Sequence, residues 1–213
     1  MPRLKITEVF YSLQGEADAV GWPTVFIRLT GCPLRCGYCD TAYAFQGGEW
    51  WELQPLMEQV GKWPVRHVCV TGGEPLAQPD CFPLLTALCD AGYWVCLETS
   101  GALDIQEVDA RVQIVMDLKT PGSGESAQNK WSNLEHLKPA DQIKFVISNE
   151  VDYAWSCDLL KKESLEEHCD VLMSPAFGVQ SPTQLADWIL RDHLPVRFQM
   201  QLHKTLWGDV RGK

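Results

Sequence analysis

The chain has 213 residues, 46% of them hydrophobic and 22% charged, and a formal net charge of −10. That length suits one domain, residues 1–213, with a sizeable core, and no run of ~18 apolar residues is available to cross a membrane. The acidic balance and the lack of any Lys/Arg run speak against a nucleic-acid partner and favour a small-molecule substrate.

The opening MPRLKITEVF lacks the basic and apolar segments of a secretory signal, so the expected compartment is the cytoplasm. In that reducing setting the nine cysteines point to a metal or redox site rather than a disulfide framework.

In chain order, strand-length apolar runs fall at 24–30, 66–71, 93–99, 112–118, 142–148, 170–174 and 196–202. Helices are expected between several of them. Residues 80–91 offer Asp80 as a cap, Phe82, Leu85, Leu88 and Cys89 on one face, and Gly92 as the stop. Residues 151–162 carry a stripe of Val151, Ala154, Trp155 and Leu159, and 182–192 open with Ser181 and Pro182. The segment 119–130, KTPGSGESAQNK, reads as a loop. Strands alternating with helices imply a mainly parallel sheet. Its functional groups should gather at the carboxyl ends of the strands. The polar, glycine-bearing stretches TGGEP, ETSG, DLKTPG and SPAFG all follow strands.

GCPLRCGYCDT, residues 31–41, also follows a strand and places Cys32, Cys36 and Cys39 together. Structural zinc normally takes four protein ligands, so it would need a distant fourth, such as Cys69 or a histidine. A [4Fe–4S] cluster held by three thiolates instead leaves one iron open to a small molecule. The other six cysteines sit mostly in apolar runs, where free cysteine behaves as a small core residue.

The spacing Cys-x3-Cys-x2-Cys, with Tyr38 before the last cysteine, resembles the radical S-adenosylmethionine superfamily, and TGGEP at 71–75 strengthens the likeness. The resemblance implies a [4Fe–4S] cluster on Cys32, Cys36 and Cys39 and S-adenosylmethionine as the source of a deoxyadenosyl radical. LQGE near the start, CDT after the last cysteine and QLHKTLWGD near the end make the whole chain similar to the 7-carboxy-7-deazaguanine synthase family. That family converts 6-carboxy-5,6,7,8-tetrahydropterin to 7-carboxy-7-deazaguanine with loss of ammonia, on the way to queuosine and other 7-deazapurines. The fold it implies is α/β, an incomplete (β/α) barrel of six mainly parallel strands with reduced helices. A magnesium ion, a homodimer and an external one-electron reductant such as a flavodoxin come with the resemblance.

Site residues follow by position. Leu13, Gln14 and Gly15 are expected at the pterin edge, Thr71 and His203 against substrate, and Thr41 on magnesium. Gly73 and Glu74, then Asp117, Leu118 and Lys119, then Ser174, Pro175, Ala176 and Phe177 are expected around S-adenosylmethionine, with Glu98 reaching the ligand. His203 is expected to end a strand. Arg28 stands mid-strand among apolar residues, where an unpaired charge is costly. It either reads the substrate carboxylate, as the resemblance implies, or pairs with an internal acid such as Asp40. A glycyl-radical activating enzyme and a zinc-binding module are the rival readings. The final WGDVRGK receives no assigned contact.

Overall fold

Six of the apolar runs become adjacent parallel strands of one open sheet. The computed structural model describes residues 2–213. Its strands are β1 (Arg3–Leu13), β2 (Pro23–Leu29), β3 (Glu49–Glu52), β4 (His67–Gly72), β5 (Trp94–Thr99), β6 (Gln113–Asp117), β7 (Gln142–Ile147), β8 (Asp170–Pro175) and β9 (Arg197–Phe198). The helices are α1 (Leu53–Val60), α2 (Cys81–Asp90), α3 (Glu150–Glu163), α4 (Leu165–His168), α5 (Pro182–Arg191) and α6 (Leu202–Trp207). The sheet order is β3-β1-β2-β4-β5-β6-β7-β8-β9. β1 runs antiparallel to β2 and β3, and every pair from β2 to β9 is parallel. The expected six-strand parallel core is therefore β2 and β4–β8. Only loops and short 3₁₀ turns bridge β5 to β6 and β6 to β7. Helices are thus missing from part of the wall, as the resemblance implied. Among the described residues no helix is long and apolar enough to cross a membrane.

Four expectations need correction. β1 and β3 are strands that the apolar runs did not reveal. β1 alternates buried Leu4 and Ile6 with charged neighbours, as a strand with one wet face does. The run 196–202 yields only a two-residue strand, because Gln199 turns inward, where its side-chain carbonyl accepts the Ala17 N–H at 2.6 Å. The chain then enters α6, so His203 lies on a helix rather than at a strand end. Asp80 does not cap α2; its carboxylate accepts the Arg3 N–H at 2.8 Å and fastens the start of β1. Ser181 and Asn149 do cap, accepting the N–H groups of Gln184 and Asp152.

The two faces of the parallel strands divide the labour. Outward residues such as Val68, Val70, Ile114 and Ile143 join Leu84, Leu88, Leu160 and Leu185 of the helices in the main core. Inward residues form two layers by strand alternation. The lower layer is apolar: Phe26, Cys69, Cys96, Val115 and Leu172. One step of two residues further along, the same strands present Arg28, Thr71, Glu98, Asp117 and Ser174. The loop between β1 and β2 plugs the barrel from beneath. Ala17 enters the lower layer, and Asp18 accepts side-chain N–H bonds from Gln113 and Gln142 at the starts of β6 and β7.

Candidate active site

Above the polar layer lies a cavity of about 680 Å³. Its mouth is made by the cysteine loop, the strand ends, α6 and residues 208–213. Cys32, Cys36 and Cys39 are free thiols that line it and are partly exposed. Backbone bonds hold their loop on three sides. Gly31 donates to Ala44 O at 2.8 Å, Glu74 N–H to Gly31 O at 2.8 Å, and Gly37 N–H to Ser123 O at 3.0 Å. Among the described residues no three His, Cys, Asp or Glu groups converge on a single metal ion. Cys69, the possible fourth zinc ligand, is fully buried in the lower layer opposite Cys96. Burial pushes its thiol well above the ordinary value, so it stays protonated and remote from the loop.

Two charge networks frame the cavity. On the floor, Lys144 sits 2.7 Å from Glu16 and 3.8 Å from Asp117, while Lys119 reaches Asp117 at 2.9 Å. Gln199 and Gln201 donate side-chain N–H bonds to the Glu16 carboxylate at 3.1 and 2.9 Å. Burial alone would raise Glu16, but the Lys144 ammonium and the Gln201 hydrogen bond, with His203, together outweigh it and hold the carboxylate below its ordinary range. Asp117 lines the cavity, and its Oδ1 is buried without a protein partner. It is an acceptor waiting for a ligand donor. On the rim, Lys204 bridges Asp40 of the cysteine loop at 2.9 Å and Asp209 at 3.2 Å, with its ammonium 4.7 Å from the Phe177 ring.

Along the β1–β2 wall, Arg28 Nε donates to Glu8 Oε1 at 2.8 Å. Tyr43 donates its hydroxyl to the same oxygen at 2.8 Å, and burial pushes that phenol up to about 12, so it remains a neutral donor. Thr71 and Gln14 each donate to Glu98, at 2.9 and 3.2 Å.

The Radical SAM superfamily model matches residues 26–120, the stretch that holds the cysteine loop and TGGEP. The chain is 43% identical to the 7-carboxy-7-deazaguanine synthase of Chlorobaculum tepidum, across 98% of this chain and 97% of the relative. The chain belongs to the 7-carboxy-7-deazaguanine synthase family. The synthase of Koribacter versatilis is 39% identical, over 96% of this chain and 97% of its own length. Among solved structures, QueE from Escherichia coli superposes with a TM-score of 0.78 at 25% identity, covering 94% of this chain and 95% of that one.

Most residues expected from the sequence meet at the cavity. Leu13, Gln14, Arg28, Thr41, Thr71, Gly73, Glu98, Asp117, Lys119, Ser174, Pro175, Ala176, Phe177 and His203 all line it. Three do so differently or not at all. The Glu74 carboxylate is fully buried away from the cavity. It accepts Thr99 Oγ1 at 2.9 Å, Ser100 N at 2.7 Å and Leu76 N at 3.0 Å, which ties the β4 turn to the end of β5. The Leu118 side chain belongs to the main core. Gly15 is covered by His203, whose ring would meet a Cβ placed there at 2.0 Å. Asp40, the suspected internal partner of Arg28, belongs to Lys204; Glu8 takes that role instead.

Sequence reasoning passed over Glu8, Glu16, Tyr43, Lys144 and Lys204. Lys144 was findable, because it interrupts the apolar run QIKFVIS just as Arg28 interrupts TVFIRLT. Glu16 stood inside the quoted LQGE without a role.

Lys144→Met should leave the Glu16 carboxylate buried and unpaired, a loss of about 3–5 kcal/mol. Denaturant unfolding near neutral pH checks this, and Glu16→Gln in the same chain should restore part of the loss. The paired Glu16 carboxylate titrates below its unfolded value, so its stabilisation is complete above that value and lost as pH falls through the lower, folded one. The difference between wild type and Lys144→Met should therefore shrink in acid.

A Cβ on Gly73 would stand 2.2 Å from Gly31 O and 2.8 Å from Cys32 Cβ. Gly73→Ala should thus displace the cysteine loop before it touches any ligand. Iron content after anaerobic reconstitution should fall well below that of the wild type. A full cluster with lost S-adenosylmethionine binding would instead make ligand approach the reason for this glycine.

Proposed function

We propose that the chain carries its family's synthase activity, turning 6-carboxy-5,6,7,8-tetrahydropterin into 7-carboxy-7-deazaguanine within this cavity. The observation that carries the reading is one enclosed space shared by three free cysteines and an unpartnered buried acceptor, with an arginine on the opposite wall. Cys32, Cys36 and Cys39 would hold the [4Fe–4S] cluster, and their donor set suits it: three thiols on one loop, clamped by backbone bonds. When bound, the cluster and S-adenosylmethionine supply the radical chemistry; the protein positions the reactants and keeps water out.

The chain's own residues divide between two ligands. Asp117 Oδ1 and the backbone of Gly73, Glu74 and Leu118 face or border the S-adenosylmethionine side, with Lys119 neutralising Asp117 so that the free oxygen remains an acceptor. Ser174, Pro175, Ala176 and Phe177 form the wall on the adenine side. The pterin lies toward Leu13, Gln14, Gly15, Thr71 and His203. His203 is held below its ordinary value by burial, so the neutral ring can both donate and accept. Arg28 commits only its Nε to Glu8, which leaves its two terminal nitrogens for the substrate carboxylate. The two roles set against each other in the sequence are therefore compatible. Thr41 offers one hydroxyl to magnesium, and the neighbouring Asp40 is engaged by Lys204. Substrate oxygens and water would complete that shell, as magnesium tolerates. A homodimer, an external one-electron reductant such as a flavodoxin, and a cytoplasmic setting belong to the same reading.

Anaerobic reconstitution should give about four irons per chain and, with S-adenosylmethionine and reductant, turnover of the carboxylated pterin. Cys36→Ala should abolish both, and Cys89→Ala neither. Thr41→Val should blunt the response to added magnesium. A fully loaded cluster that yields no deazaguanine product from this substrate would overturn the reading.

A further inference from the structure

Residues 208–213 cross the mouth of the cavity and line it, although nothing in the proposed chemistry uses them. Their one firm anchor on the far wall is Arg211. Its Nε donates to Glu8 Oε2 at 3.0 Å, and its guanidinium lies 4.2 Å from the Tyr43 ring. Glu8 is thus shared: Arg28 Nε takes one oxygen and Arg211 Nε the other. Among the described residues no protein acceptor takes the terminal nitrogens of either arginine. Two guanidiniums thus share one carboxylate, with Glu98 as a further acid acting on Arg28. Arg28, Tyr43 and Arg211 all face the cavity.

We propose that Arg211 is a second, specificity-determining reader of the substrate carboxylate, which it grips together with Arg28 across the shared Glu8. This rests on the assignment of the carboxylated pterin to the cavity and adds a residue to it. Glu8 orients both forks by their Nε atoms, so two pairs of N–H donors converge where one monoanion can satisfy them. A carboxylate bridging the two arginines also ties 208–213 over the bound substrate. Arg28 is largely buried, whereas the Arg211 side chain is 56% exposed. Its share of the binding is therefore the smaller one and the more easily screened by salt.

The test measures equilibrium binding of two probes to the reconstituted, S-adenosylmethionine-loaded enzyme. One probe is 6-carboxytetrahydropterin; the other is tetrahydropterin without the carboxylate. Arg211→Ala should weaken the first about five- to tenfold, the scale of one partly exposed charge-assisted hydrogen bond, and leave the second unchanged. Arg211→Lys should recover part of the loss, and the effect should shrink as salt rises. A chain stopped after Val210 should behave like Arg211→Ala. Arg211 is exposed enough that these changes should not unfold the protein. Unchanged affinity for the carboxylated probe, or equal loss for both probes, overturns the inference. Arg28→Ala separates this failure from a failure of the underlying reading. If that variant still prefers the carboxylated probe as the wild type does, the anion site itself is misassigned. If it loses the preference while Arg211→Ala keeps it, only the role of Arg211 falls.

Discussion

The buried Glu16 carboxylate is the point from which the mouth of the barrel is organised. A charge at that depth must be paired and hydrogen-bonded or it costs several kcal/mol. Lys144 supplies the countercharge, and Gln199 and Gln201 supply the remaining donors. Those glutamines come from the stretch after β9, so satisfying Glu16 draws the chain off the sheet edge and ends the strand after two residues. The Leu202 N–H then bonds to Gly15 O at 3.0 Å, and His203 lands on Gly15. α6 follows, and with it Lys204 and residues 208–213. One carboxylate in the plug thus decides where the upper wall of the cavity stands.

The alternation of the strands does the complementary work. β2, β4, β5, β6 and β8 each carry one apolar residue into the lower layer and one polar residue two positions later, and β7 sets Gln142 below Lys144. The lower layer has no charge to solvate and packs on Ala17. The upper layer therefore sits on a dry floor, where ion pairs and hydrogen bonds are stronger than at the surface. Asp117 shows the benefit. It is flanked by Lys119 and Lys144, yet keeps one oxygen buried and unpartnered. The two ammonium groups lie on its other oxygen, so Oδ1 is left as an acceptor with no protein donor.

The parallel core and the cysteine loop were legible because each has a local signature. Apolar runs of strand length mark the central strands, and Cys-x3-Cys-x2-Cys needs no tertiary context to be seen. β1 was not legible, since its alternation of Leu4 and Ile6 with charged residues is weaker than a continuous run, and its pairing with β2 and β3 is a matter of topology. The end of VRFQMQL was misread for a related reason. Its residues have strand propensity, but Gln199 answers to Glu16, 183 positions away. Glu74 shows the limit of motif reading. The motif places it beside the cofactor loop, but only the coordinates reveal that its carboxylate serves Thr99 and Ser100.

The most consequential contacts at the mouth are also among the longest in sequence. Glu8 meets Arg211 across 203 positions, Glu16 meets Gln201 across 185, and Asp40 meets Gln201 across 161. Closing loops of that size is costly until the intervening strands are in place. The cysteine loop draws more of its support from nearer residues, with Gly31 on Ala44, Cys39 on Cys36 and Glu74 on Gly31, and is tied across the barrel by Gly37 on Ser123. The order of assembly that follows is a cofactor loop supported early by β2, β4 and their turns, with the roof added last by the segment beyond β8. Within that roof, residues 208–213 are tied chiefly through the exposed Asp209 and Arg211 side chains, and they are the part that opens at least cost. The same long-range contacts that complete the pocket are the ones a large cofactor and a pterin would have to pass.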